Sequence, residues 1–196
     1  MQNFPNIITC IRLAAPFYFI ILIIIFKNQN TQSLIIFFTF VILSITDYLD
    51  GFLARKFNVS SDFGKIFDPI SDKILTTSAL IYLSSINSDI LFPSVLIIFR
   101  EFLISGVREY SLLKRKESVN VSILSKIKTA LQFITISLLL ITFGVEDNLF
   151  FEEFIKAYQV VNFCLCGLWV VTFLTLYTGF QYCYKVYKNY KMEHLK

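Results

Sequence analysis

Asp47 and Asp50 stand three residues apart, and Asp68 and Asp72 stand four apart, in a chain whose long runs are otherwise apolar. On a helix, residues three or four apart share a face, so each pair presents two carboxylates side by side. Gly51 and Ala54 lie within a turn of the first pair and leave room beside it. An aspartate near the middle of a bilayer costs ~2.5 to 3.5 kcal/mol. Four are therefore expected close to the interface or around a water- or metal-filled cavity. The stretch from Asp47 to Asp72 contains no histidine or cysteine, and clustered hard oxygens without softer donors call for Mg²⁺, Mn²⁺ or Ca²⁺ rather than zinc. Two such ions ~3.5 to 4 Å apart can clamp the oxygens of a diphosphate and stabilise both attacking and leaving oxygen.

A second set is basic. Arg100 and Arg108 are eight residues apart, and Lys126 and Lys128 open the next apolar run. Together they can hold a phosphate dianion through charge-assisted bonds. Alternatively, Arg100 pairs with an acid elsewhere in the chain and the other three are interfacial anchors. The one histidine, His194, lies in the charged tail, which argues against Ser/His/Asp or Cys/His catalysis. Cys10, Cys164, Cys166 and Cys183 form no C-x-x-C pair and sit in apolar segments, so neither disulfides nor a zinc site is expected.

The elements that must carry these groups are membrane helices. The chain of 196 residues is 56% hydrophobic with 22 Phe, and its mean hydropathy is +0.65, which is too apolar for a soluble domain. At ~20 residues per span the sequence predicts an all-α integral membrane protein with six transmembrane helices. It forms one domain over residues 1–196, with an N-terminal interfacial segment from Met1 to Cys10. The spans are expected over 11–26, with Pro16 as a kink, from 34 into the Asp47–Ala54 face, and over 68–85, 90–113, 119–143 and 156–184. Phe57 to Lys65 is expected as a loop. No cleavable signal peptide is expected. Arg12, Arg55, Lys56, Lys114 to Lys128 and the lysine-rich tail fall on one side, and Lys27, Asp89 and the acidic turn from Glu146 to Glu153 on the other. The positive-inside rule then puts both termini and the aspartates on the cytoplasmic side of the cell membrane. The net charge of +4 is explained by that orientation and by anionic membrane lipid, not by nucleic acid.

The pattern D-x2-D-G-x2-A-R-x8-G-x3-D-x3-D, running from Asp47 to Asp72 through Gly51, Ala54, Arg55, Gly64 and Asp68, resembles the signature of the CDP-alcohol phosphatidyltransferase family. The resemblance implies transfer of a phosphatidyl group from CDP-diacylglycerol to an alcohol, with release of CMP. It implies two ions, Mg²⁺ or Mn²⁺, held by Asp47, Asp50, Asp68 and Asp72, with Asp72 also the general base. Asp47, Asp50, Gly51, Ala54, Arg55 and Ser61 would meet the CDP-lipid. Small residues permit close approach, and arginine suits a phosphate. Three flanking segments, 5–12, 100–109 and 126–129, resemble bacterial members of the family that use sn-glycerol 3-phosphate. That likeness fades after about Gln132. Members with phosphorylated acceptors are often homodimers, and Gly167 and Gly179 in the last span offer a packing face for a partner.

Serine, inositol phosphate and phosphatidylglycerol remain possible acceptors within the family. A small cation transporter would need repeats with paired broken helices, which the sequence lacks. A membrane scaffold would leave the aspartates dispensable.

Overall fold

The computed structural model describes residues 9–57, 62–115, 123–145 and 157–194, without the side chains at 47–57, 62–66, 112–115, 123, 157–158, 189–190 and 192–194. All regular structure among the described residues is helical. A helical turn over 9–13 leads into α1 (Ala15–Ile25). There follow α2 (Gln29–Phe57), α3 (Asp62–Ile86), a 3₁₀ turn (Ser88–Ile90), α4 (Leu91–Arg115), α5 (Ile123–Val145) and α6 (Ala157–His194).

Local chemistry sets these boundaries. The helical path breaks at Ala14, and Pro16 occupies the first turn of α1, where its missing N–H has no helical acceptor to lose. Between α1 and α2, the Asn28 Oδ1 accepts from the Asn30 N–H at 2.8 Å, and the Gln32 side chain donates to the carbonyls of Ile23 and Phe26. Asn87 ends α3 and accepts from the Asp89 N–H at 2.8 Å. The expected loop from Phe57 to Lys65 is shorter than the sequence indicated. Phe57 closes α2 and Asp62 already opens α3, which carries Pro69 in its interior. A proline there removes one i to i−4 hydrogen bond, but this helix continues through it.

Four of the helices are long and apolar enough to cross a membrane, over Gln29–Thr46, Ser88–Ser111, Leu124–Val145 and Gln159–Lys188. The two others predicted to span do not meet that measure. α1 has 11 residues, short of the ~20 a bilayer core requires. α3 is 25 residues long, but Asp62, Lys65, Asp68, Asp72 and Lys73 interrupt its first half.

The helices pack with α2 against α5, α6 against both α4 and α5, α3 against α4, and α1 against α3. Phe40 of α2 stacks on Phe133 of α5 with ring centroids 5.0 Å apart. Near the other end of the same pair, a Cβ on Gly144 would come within 2.7 Å of the Leu34 side chain, so glycine sets how closely α2 and α5 approach. Ile36, Leu80, Leu83, Ile97, Leu139 and Leu168 fill the centre. Large apolar residues are also outside: Phe17, Ile24, Phe163, Phe173 and Phe180 are each at least 65% exposed. This is the surface of a protein whose solvent is lipid. Hydroxyls in the interior answer their own backbone, as Thr135, Thr142 and Thr172 bond the carbonyl four residues back. Ser33 and Tyr82 share a buried bond of 2.8 Å between α2 and α3.

Candidate active site

A cavity of about 610 Å³ opens at one end of the bundle, where the starts of α3 and α5 meet the later turns of α4 and α6. From α3 come Pro69, Asp72 and Lys73, and from α4 come Arg100, Glu101, Ser105 and Arg108. α5 adds Ser125, Lys126, Lys128 and Thr129, and α6 adds Thr178, Gln181, Tyr182 and Lys185. The cavity thus gathers Asp72 with all four members of the expected basic set.

The walls form a linked polar network. Arg100 is 8% exposed and Lys128 only 2%. Both meet the same oxygen: Arg100 Nη1 lies 3.2 Å from Glu101 Oε1, and the Lys128 ammonium donates to it. The Glu101 carbonyl accepts from Ser105 Oγ at 2.7 Å, and the Lys73 ammonium donates to Ser105 Oγ. Arg100 Nη2 donates to Thr178 Oγ1 at 3.1 Å, which ties α4 to α6. Six cationic side chains line the cavity against two carboxylates, Asp72 and Glu101. Charges removed from water need partners, and Glu101 answers only part of this excess. The chamber is therefore electrostatically prepared for an anionic ligand.

Arg100 pairs with its own neighbour Glu101 rather than with an acid elsewhere in the chain, and Lys128 is buried in that same pair instead of anchoring at an interface. Lys126 and Arg108 are exposed side chains on the cavity wall. Gly179 is corrected: a Cβ there would lie 3.0 Å from Arg100 Cγ, so this position packs within the chain. Gly167 likewise faces Thr135 of α5, 3.7 Å away.

Asp72 stands exposed at the rim of the cavity. Asp68 and Asp72 are exposed one turn apart on α3, and Asp68 Oδ1 accepts from Thr9 Oγ1 at 2.6 Å. Arg12 is 2% exposed and its Nε donates to the Leu43 carbonyl at 3.1 Å, one turn before Asp47. Asp47, Asp50, Gly51, Ala54 and Arg55 belong to the helical backbone of α2, but their side chains lie outside the described set, and Ser61 lies outside the described residues altogether. Among the described residues no three His, Cys, Asp or Glu side chains cluster closely enough to hold a metal. The donors that α3 offers, two carboxylates with no nitrogen or sulfur ligand beside them, fit hard cations such as Mg²⁺ and Mn²⁺.

Lys73, Glu101, Ser105, Thr178, Gln181 and Lys185 escaped the sequence reading as site residues. Lys73 is adjacent to Asp72 and Glu101 to Arg100, so proximity to a candidate was the available signal. The α6 residues carried none, because they punctuate an apolar run that reads as lipid-facing.

The family model of CDP-alcohol phosphatidyltransferases matches residues 2–177. A CDP-diacylglycerol–glycerol-3-phosphate 3-phosphatidyltransferase of Rickettsia bellii is 37% identical over 190 residues, covering 96% of this chain and 97% of the relative. The protein of the same name from Rickettsia typhi is 37% identical over 191 residues, covering 97% and 99%. That of Bacillus subtilis is 35% identical over 206 aligned positions, covering 99% and 100%. With a family match over most of its length and relatives aligned nearly end to end, the chain belongs to the CDP-alcohol phosphatidyltransferase family.

Proposed function

We propose that the protein transfers a phosphatidyl group from CDP-diacylglycerol to sn-glycerol 3-phosphate, giving phosphatidylglycerophosphate and CMP. The observation that carries this reading is one cavity in which Asp72 stands at the mouth and Arg100, Arg108, Lys126 and Lys128 form the wall. The family membership supports the reaction, and the printed activity of the relatives supports the acceptor.

The basic wall binds the phosphate of sn-glycerol 3-phosphate and directs its free primary hydroxyl toward Asp72. Asp72 accepts the hydroxyl proton, the oxygen forms a bond to the lipid-linked phosphorus, and the bond from that phosphorus to the CMP oxygen breaks. Gly51 and Ala54 leave space for the cytidine diphosphate, Arg55 faces its phosphates, and Ser61 belongs to the same subsite. Asp47, Asp50, Asp68 and Asp72 would hold two Mg²⁺ or Mn²⁺ ions, which neutralise the diphosphate and make the acceptor hydroxyl acidic enough for a carboxylate base.

The same reading takes residues 1–196 as one membrane domain of six transmembrane helices, with α1 and its preceding turn as the first and α3 as the third. The segment to Cys10 lies along the membrane surface. Both termini and the cavity face the cytoplasm across the cell membrane, as the positive charge at the cavity end supports. A homodimer in the membrane completes the proposal, supported by the family's habit with phosphorylated acceptors.

The test is transfer of label from sn-glycerol 3-phosphate into lipid by the purified protein with CDP-diacylglycerol, with and without Mg²⁺ or Mn²⁺. Metal-dependent labelling with one CMP released per lipid formed is the expected result. CMP release only with serine, inositol phosphate or phosphatidylglycerol would replace the acceptor. No release with any acceptor would return attention to ion transport.

A further inference from the structure

Glycine is the poorest helix former after proline, so Gly179 in the middle of α6 calls for a steric reason. The reason is Arg100. A Cβ at position 179 would stand 3.0 Å from both Cγ and Nε of that arginine, tighter than side chains normally pack. Next to it, Thr178 is 3% exposed. Its hydroxyl proton is taken by its own helix, with the Leu174 carbonyl 2.9 Å and the Thr175 carbonyl 3.0 Å away. The oxygen lone pairs are thereby turned outward, and Arg100 Nη2 donates to them at 3.1 Å. Arg100 Nε is buried and meets no acceptor among the described residues. The described tethers of the guanidinium are therefore Thr178 on one side and Glu101 on the other. The family match ends at residue 177, so this part of the cavity wall lies beyond it.

We infer that Thr178 and Gly179 are positioning residues that fix Arg100 in the cavity and so set affinity for the phosphate of the acceptor. The inference rests on the proposed role of the basic wall as the acceptor-phosphate site. Gly179 leaves the space in which the arginine stem lies, and Thr178 aims the fork. Thr178 lines the cavity from α6, whereas Asp72 lines it from α3.

Steady-state kinetics of the full-length protein test this, varying sn-glycerol 3-phosphate and CDP-diacylglycerol in turn. Loss of a hydrogen bond to a charged group corresponds to about a tenfold change. Thr178→Val and Gly179→Ala are each expected to raise the KM for sn-glycerol 3-phosphate about tenfold and to leave that for CDP-diacylglycerol within about twofold of the parent. Thr178→Ser, which keeps the oxygen, is expected to behave as the parent. Arg100→Ala is the reference and raises the acceptor KM at least as much. If Arg100→Ala does so while Thr178→Val and Gly179→Ala do not, α6 does not position the arginine, although the acceptor site stands. If Arg100→Ala leaves the acceptor KM unchanged, the acceptor-site reading fails and takes the inference with it. Equal rises in both KM values, together with a lowered melting temperature, would show a structural role only and overturn the proposal.

Discussion

The two ends of the cavity are built on opposite plans. At the rim, Asp72 is exposed, with Asp68 exposed one turn before it on the same helix. In the chamber, Arg100, Lys128 and Glu101 are largely buried and depend on one another across α4 and α5, with Thr178 of α6 completing the set. An exposed carboxylate pair can be altered at small structural cost because water replaces what is lost. A buried ionic network cannot, since removal of one member strands the charge of another. Substitutions at the rim are therefore expected to change chemistry and spare the fold, whereas substitutions within the buried network of Arg100, Glu101 and Lys128 change both.

The largest contrast is expected from Asp72→Asn. It should lower kcat by ~10² to 10⁴, the usual worth of a positioned base, without shifting the melting temperature. Near-normal turnover would remove Asp72 from the proton transfer. Glu101→Gln probes the opposite side of the comparison. With Lys128 and Arg100 left facing each other, unfolding stability should fall by about 3 kcal/mol, measurable by thermal denaturation in detergent micelles. A variant as stable as the parent would mean that the chamber is as well hydrated as the rim. Between these limits, Arg108→Ala removes an exposed cation from the chamber wall and should raise the KM for sn-glycerol 3-phosphate about tenfold, with little effect on stability. An unchanged KM would return Arg108 to anchoring at the interface. The smallest effect belongs to Lys185→Ala at the exposed end of α6. A two- to fivefold weaker acceptor affinity that disappears in high salt is about what a solvated charge contributes.

The same division decided what could be seen in the sequence. The rim was legible because its information is local: carboxylates at intervals of three and four announce a shared helical face before any tertiary contact is known. The helical, apolar character of the chain was legible for a similar reason: four of the expected spans are helices long enough to cross a membrane, whereas α1 is short and Asp62 and Lys65 begin α3 where a loop was expected. Nothing local distinguishes Thr178 from the back-bonded hydroxyl of Thr172, yet one faces Arg100 and the other does not. Gly179 misled for this reason: a small residue on a long apolar helix suits contact with another chain as well as contact with Arg100, and only the packing of α4 against α6 decides between them. Glu101 was visible as a charge in an apolar run, but its role depends on Lys128, 27 residues away.

The bond from Arg100 to Thr178 joins residues 78 apart in the chain. Synthesis proceeds from the N-terminus, and segments fold in the order in which they emerge. The helices bearing the aspartates are thus complete long before α6 leaves the ribosome. Until α6 docks, the cavity lacks one wall and Arg100 is held by Glu101 without Thr178. Assembly of the chamber therefore waits for a helix made well after those that carry the aspartates, and the cavity closes later than its exposed side forms.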